Sequence, residues 1–486
     1  MVLPQKYLKY LACLFIPITF LSTSARSQST TRPNIVWIVS DDLGVELSCY
    51  GDPYVATPHV DRLAREGVRF TNAQAVAPVC SPSRSAFMTG MYPQVIGSQH
   101  HRTVDRQPLP APVRPITEYF REAGYYVCNG DARAALKKPG KTDFNFAGEN
   151  FFDGSDWSGR QPGQPFFAQV QIFQPHRAFQ HDPARPIPYA NLKLPPYYPE
   201  HPLAQWDWAM YLESVQRMDQ QVGEVLERLE KEGILDNTII IFFGDHGRPH
   251  VRDKQFLYEG GTHIPLVVRF PDQRRAGSVR SELIATTDLP ATSLALAGLP
   301  VPAHLMGKDI FDRRFKRRQL VLATDRKDET VDRIRGVRET RYKYLRNYYP
   351  ERPYMQPNQY KRYEYPVYPL LFELQKAGKL TPEQQLFMAE KRPAEELYDL
   401  QNDPYELRNL AADPKYLKHL RRLRQACDDW VATYDQSTYP EPDEVLQKVQ
   451  KQMDTYYSER ARRLGEPYGT SDAELLDYWL KQMKQP

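Results

Sequence analysis

The sequence predicts an α/β protein, with one large sheet flanked by helices followed by a smaller C-terminal α+β subdomain. Three short, largely apolar runs rich in β-branched or aromatic residues carry that expectation, at residues 34–40, 166–173 and 238–243. Each reads as a strand covered on both faces, as strands of parallel sheets are. Helical segments lie between them, as βαβ crossovers require. Each run also ends in polar residues: Asp41-Asp42 after the first, Gln174-Pro175-His176 after the second, and Gly244-Asp245-His246-Gly247 after the third. Open α/β sheets gather their ligands at such carboxyl edges.

Taken in order, the chain opens with Lys6 and Lys9, an apolar stretch at residues 10–21, and the small residues Ser22, Ser24 and Ala25. That is the layout of a signal peptide, assigned to residues 1–27, and it implies a secreted or periplasmic protein without a stable membrane anchor. Its removal leaves Cys49, Cys80, Cys128 and Cys427, too few and too scattered for a disulfide framework. Residues 28–330 form the expected catalytic domain. Within it, residues 57–67 read as a capped helix with an early proline and a closing glycine, and residues 211–231 as a long helix. Leu212, Val215, Met218, Val222, Val225, Leu226 and Leu229 give the long helix one apolar face, and Gly233 ends it.

Residues 331–486 form the expected C-terminal subdomain, with short strands of an antiparallel sheet at 338–347 and 395–400 and an amphipathic helix at 416–434. The Tyr- and Pro-rich stretch 348–370 has no period and reads as an ordered loop. Residues 441–486 are charged and helix-prone. With 64 basic and 60 acidic residues the net charge is only +4, which gives no nucleic-acid footprint. Local positive charge in a cleft could still favour an anionic glycan.

The most specific signal is Val79-Cys80-Ser81-Pro82-Ser83-Arg84-Ser85-Ala86-Phe87-Met88-Thr89-Gly90. A cysteine nucleophile ordinarily needs a thiolate-stabilising base or a helix terminus, and no such base adjoins Cys80 in the sequence. With Pro82, Arg84 and Thr89-Gly90 at these spacings, the run resembles the modification signature of the sulfatase family. The resemblance continues in order through Asp41-Asp42, the Asp245-His246 segment, Lys254, Tyr258-Glu259-Gly260-Gly261 and Glu396-Leu397-Tyr398-Asp399-Leu400. It implies an alkaline phosphatase-like fold, a large mixed sheet flanked by helices. It also implies that Cys80 is oxidised to formylglycine (3-oxoalanine) by a formylglycine-generating or anaerobic sulfatase-maturating enzyme. The hydrated aldehyde would offer one oxygen to attack sulfur and another to expel sulfate.

By the same resemblance Asp41, Asp42, Asp245 and His246 bind a divalent cation together with an oxygen of the modified Cys80. A hard cation with oxygen ligands suits a polarising role, so calcium is expected first. His246 stands where many relatives carry Asn, and an imidazole leaves magnesium, manganese or zinc open. Arg84 is expected to pair with the diol and the sulfate. Lys254 is expected on the sulfate, and His176 as the acid that protonates the leaving oxygen, a role suited to a group titrating near neutral pH. In Gly140-Lys141-Thr142-Asp143 the family lysine is matched by Lys141, but Asp143 replaces the usual histidine and could orient the diol or act as base.

His100, His101 and Arg102 follow the modification segment, where they could bind sugar hydroxyls or a uronate. Arg177 and Arg326 join them as candidate substrate contacts. The resulting expectation is a sulfatase acting on sulfate esters or N-sulfate of a carbohydrate, of ulvan or heparan type. A phosphodiesterase or phosphonate hydrolase of the same superfamily, and a non-catalytic glycan-binding homologue, are the alternatives.

Overall fold

Strand β1 (Asn34–Ser40) runs through the middle of an eight-stranded sheet, and every one of its residues is buried. The structure is a computed structural model that describes residues 32–437 and 441–484; the expected signal peptide, residues 1–27, lies outside the described residues. The other strands of this sheet are β2 (Gly67–Gln74), β3 (Tyr126–Asp131), β4 (Phe166–Ile172), β5 (Thr238–Gly244), β6 (His263–Arg269), β7 (Ser278–Arg280) and β8 (Ile284–Ala285). Their spatial order is β8-β2-β6-β5-β1-β4-β3, with β7 also paired to β2. From β5 to β3 all neighbours are parallel, while β6 runs antiparallel to both β5 and β2, so the sheet is mixed.

The alternation of β1 sorts its side chains to two cores. Val36 and Ile38 face the side covered by α1 (Pro58–Glu66) and the long α4 (Pro202–Lys231), which starts earlier than its apolar spacing suggested. Ile35, Trp37 and Val39 face α2 (Cys80–Thr89), α3 (Ile116–Glu122) and α5 (Asp288–Leu296). Trp37 meets Phe87, Phe167 and Phe243 edge-on at centroid distances of 6.0, 5.1 and 5.6 Å. Its indole N–H donates to Ser293 Oγ at 2.9 Å, so the ring pins α5 and α2 to the sheet.

A second, antiparallel sheet orders β9 (Gln319–Thr324), β10 (Ile334–Glu339), β11 (Tyr342–Asn347) and β12 (Glu395–Asp399) in sequence. It therefore begins before residue 330. Its β9 is tied to the large unit by the Ala323 N–H donating to the Val76 carbonyl at 3.0 Å. Helix α8 (Leu417–Tyr434) covers it with Leu420, Leu423, Cys427 and Trp430.

The stretch read as a loop, 348–370, holds α6 (Gln359–Glu364) and the start of α7 (Val367–Lys376). Six residues are too few to show a helical period; the Asn358 side chain, accepting from Lys361 N–H, is what starts α6. The charged tail forms α9 (Asp443–Leu464) and α10 (Asp472–Gln482). Both pack back onto α6, through Gln359 to Asp454 at 2.6 Å, Arg460 to Glu364 at 2.9 Å and Arg362 to Asp472 at 2.6 Å. Cys49, Cys80, Cys128 and Cys427 are all unpaired thiols. Among the described residues no helix is long and apolar enough to cross a membrane.

Replacing the fully buried indole should be costly. Trp37→Ala is expected to lower unfolding stability by about 3–5 kcal/mol, read from the denaturant midpoint; a change below about 1 kcal/mol would show that Trp37 does not hold the two helices to the sheet.

Candidate active site

Three adjacent strands deliver the site. β5, β1 and β4 lie side by side and parallel, so their carboxyl ends present Asp245-His246, Asp41-Asp42 and the segment to His176 together. The backbone stitches these ends: Asp41 N–H donates to the Ile172 carbonyl and Asp245 N–H to the Ser40 carbonyl, each at 3.0 Å. Asp42 takes φ 62°, a left-handed turn that an aspartate tolerates better than a branched residue. Its amide N–H donates to Asp245 Oδ1 at 2.9 Å, as does the His246 amide.

Cys80 is the first residue of α2, and the whole helix is buried. The helix terminus that the sequence left unstated therefore stands beside the thiol. Around Sγ lie His246 Nε2 at 3.3 Å, Lys254 Nζ at 3.5 Å and Asp42 Oδ1 at 3.8 Å. Ser83, one turn on, donates its hydroxyl to the Asp245 carbonyl and ties α2 to the end of β5.

The carboxylates are matched by cations one for one. Asp42 receives Lys254 Nζ at 2.7 and 2.8 Å, and Asp41 receives Lys141 Nζ at 3.0 and 2.8 Å. Arg84 bridges Asp41 and Asp245 at 3.2 and 3.0 Å and reaches Gln171 Oε1 at 2.9 Å. Burial alone would push Asp41 up, but Lys141 and Arg84 hold it well below the usual carboxylate range. Asp42 is also driven down against its burial, chiefly by Lys254. Burial would lower His246, yet Asp245 and Asp42 beside it carry it up to about 10.

Asp41, Asp42 and Asp245 bring one carboxylate oxygen each within 4.8 Å of one another, and Cys80 Sγ, an Asp245 oxygen and a His246 ring nitrogen meet within the same distance. Fully buried carboxylates at one point are tolerable only with positive charge among them. An oxygen-rich set of this kind can hold a divalent cation, with His246 Nε2 turned toward the same Asp42 oxygen at 2.9 Å.

His176 stands 3.9 Å from Asp42 through Nε2, while Nδ1 faces the Arg177 carbonyl. A carbonyl only accepts, so Nδ1 carries a proton and Nε2 is the atom free to exchange one. Burial pushes this imidazole down to about 4, away from the near-neutral titration its role suggested. Asp143 lies 3.9 Å from Lys141 Nζ, at φ 51°.

The remaining expected contacts divide. His101 and Arg102 both meet Ser81, the residue after Cys80: Ser81 Oγ is 2.9 Å from His101 Nδ1 and accepts the Arg102 amide at 3.0 Å. The half-exposed Arg102 guanidinium reaches Asp328 at 3.3 Å. His100 and Arg326 turn instead to Glu441, at 3.4 and 2.8 Å. Arg177 is clasped by Asp207 through two bonds of 2.6 Å, between the rings of Phe179 and Tyr365. Its geometry is that of an internal brace.

Two neighbours of the site escaped the sequence reading. Tyr360 of α6 places its hydroxyl 3.5 Å from Lys254 Nζ and its ring 6.2 Å from His176. Gln171 anchors Arg84 and passes a second bond to Asn129 at 2.9 Å. Buried glutamines in an otherwise apolar strand were the available signal for the latter.

The Sulfatase family model matches residues 33–299, and the model for the C-terminal region of N-sulphoglucosamine sulphohydrolase matches residues 244–361. An ulvan-active sulfatase of Formosa agariphila is 35% identical over 86% of this chain and 78% of its own length. Human N-sulphoglucosamine sulphohydrolase is 28% identical over 86% of this chain and 93% of its own. The solved structure of a protein in complex with its substrate D-glucosamine-2-N,6-O-disulfate superimposes with a TM-score of 0.60 at 19% identity, covering 84% of this chain and all of that one. That likeness is one of fold, and it agrees with the expected alkaline phosphatase-like architecture.

Arg177→Ala is expected to destabilise the protein by about 3–5 kcal/mol, because it leaves Asp207 buried without its partner, as read by thermal or denaturant unfolding. Unchanged stability with only a raised KM would instead make Arg177 a substrate contact.

Proposed function

The chain belongs to the sulfatase family and is a sulfuric ester hydrolase, and from that premise we propose that it is an exported enzyme removing sulfate from a sulfated carbohydrate. The observation that carries this reading is the position of Cys80, at a buried helix N-terminus within 3.8 Å of Lys254, His246 and Asp42. A sulfated glycan of ulvan or heparan type is the favoured substrate class. Support comes from relatives named for ulvan and for N-sulphoglucosamine, and from the imidazole and guanidinium of His101 and Arg102 beside the modification segment.

Conversion of Cys80 to formylglycine would supply the nucleophilic oxygen, and a divalent cation would supply polarising charge. Asp41, Asp42, Asp245 and His246, with the modified Cys80, are the residues that would hold that cation. Three carboxylates among them favour calcium, with magnesium or manganese as alternatives.

The chain's other groups have separable tasks. Lys254 and Lys141 keep positive charge on either side of the carboxylates, where the oxygens of an incoming sulfate need it. Arg84, wholly buried, fixes the angle of Asp41 and Asp245 from beneath. His176 holds Nε2 toward the site and is the group to hand a proton to the leaving sugar oxygen; an anion docked beside it favours the imidazolium it needs. Asp143, next to Lys141, would orient that lysine or the nucleophile. Arg102, half exposed beside Asp328, would meet a substrate carboxylate or hydroxyl.

Two outcomes follow. Cys80→Ala should reduce sulfate release from a sulfated disaccharide by at least about a thousandfold while the disaccharide still binds, measured by ion chromatography and calorimetry; retained turnover would refute the nucleophile. Exhaustive dialysis against a chelator should lower kcat at least about tenfold, with calcium restoring it better than magnesium or manganese. Full activity without metal would remove the cation from the account.

A further inference from the structure

A cavity of about 500 Å³ opens on the far side of the wall that separates it from Lys254 and Arg102. Two short segments build this wall. In the turn Lys327 to Thr330, the end residues exchange backbone bonds of 3.0 Å in both directions, leaving Asp328 and Glu329 at the tip. Asp328 faces the active-site side, where it takes Arg102; Glu329 faces the cavity. The start of α6 divides in the same way: Tyr360 reaches Lys254, whereas Gln359 lines the cavity and its backbone N–H donates to Glu329 Oε1.

The lining is amide-rich and charge-balanced. Glu329, Arg352, Gln356, Gln359, Tyr368 and Phe372 contribute to it, and Gln450 closes it from α9. Arg362, also on the wall, is already held by Asp472 and by the Thr470 carbonyl at 2.6 Å each, and Arg352 donates to the Val331 carbonyl at 3.0 Å and lies 3.7 Å from the Glu351 carboxylate. Positive charge is thus answered within the protein, which disfavours a sulfate or phosphate ligand.

Three buried polar atoms have no hydrogen-bond partner in the protein: the donor Gln356 Nε2 and the acceptors Gln359 Oε1 and Glu329 Oε2. Buried polar atoms are rarely left so, because each costs about 1–3 kcal/mol. They belong to residues that line the cavity but are themselves covered, so a ligand engages them by turning the glutamine and glutamate side chains, and one that offers donors and acceptors close together, as hydroxyl groups do, suits them. The rings of Tyr368 and Phe372 add an apolar face against which the C–H side of a sugar packs. The Glu329 carboxyl, pushed up to about 7 by burial and by Asp328, can be donor or acceptor at neutral pH. The volume also falls within the range of about 300–1,000 Å³ usual for ligand sites.

We propose that this cavity is a second carbohydrate site, which takes a neutral, hydroxyl-rich sugar unit distinct from the sulfated unit at Cys80. Its place in catalysis rests on the carbohydrate-sulfatase reading, whereas its binding does not. The shared wall gives the two sites a common frame, since Asp328 and Glu329 are neighbours, as are Gln359 and Tyr360.

Binding is therefore measured without turnover, by calorimetry on full-length Cys80→Ala protein with chemically desulfated ulvan and desulfated heparan oligosaccharides as probes. One of the two should bind, and adding Gln356→Ala or Gln450→Trp should raise its Kd about tenfold, the worth of one buried polar contact. The melting temperature should stay within about two degrees; Gln450 is exposed, so its variant tests the site even where Gln356→Ala disturbs the fold. Binding of neither probe, or a Kd that both variants leave unchanged, overturns the proposal. Failure of the sulfatase reading would appear separately, as wild-type protein releasing no sulfate from sulfated forms of the same oligosaccharides.

Discussion

Everything around Cys80 depends on one electrostatic constraint: Asp41, Asp42 and Asp245 converge, fully buried, at the carboxyl ends of two neighbouring strands. Such a cluster without positive charge would cost far more than a domain's net stability. The fold meets the constraint with Lys141, Lys254 and Arg84, each drawn from a different part of the chain. Those same cations are what an anionic sulfate requires. On the proposed reading, the two lysines that make the carboxylates tolerable would also meet the oxygens of the sulfate, while Arg84 stays a brace.

The topology explains why so few residues suffice. Because β5, β1 and β4 are adjacent and parallel, a short extension, two residues on β1 and β5 and four on β4, brings their side chains to a common edge. The opposite wall is α2, whose N-terminus brings Cys80 in and whose buried length is held by Trp37 through Phe87. Arg84 then links the two walls, since it rises from α2 to carboxylates on both strands. A shift of the helix would therefore move Cys80 and the buried carboxylates together, which keeps their geometry matched.

What could be read beforehand was whatever chemistry confines to a residue type. Carboxylates at the end of one buried apolar run can simply cap a neighbouring helix, so Asp41 and Asp42 gained meaning from the Asp245-His246 pair ending a second run and from the resemblance carried by the densely specified run at Cys80. Arg177 and Arg326 could not be resolved from sequence, because a guanidinium beside a site looks the same whether it meets substrate or an internal carboxylate such as Asp207 or Glu441. Tyr360 was invisible for another reason: it lies on a helix of six residues fixed by one Asn358 cap and by α9 and α10, contacts more than 90 residues away in sequence. The first strand of the small sheet, Gln319–Thr324, was likewise short and unmarked. Long-range pairing, not local pattern, made these elements.

The charged tail gains a meaning it lacked as sequence. Through Glu441, Asp454, Arg460 and Asp472 it grips Arg326 and the helix α6 beside Lys254, so the C-terminal segment helps to hold one border of the candidate site. The claim on which the whole account turns is that Cys80 works as an aldehyde. The most direct measurement is the aldehyde content of the Cys80 peptide, by mass spectrometry across preparations co-expressed with graded amounts of maturating enzyme, set against sulfate release. Activity should rise in proportion to aldehyde and vanish where the thiol is intact; full activity from protein carrying only the thiol would contradict the account.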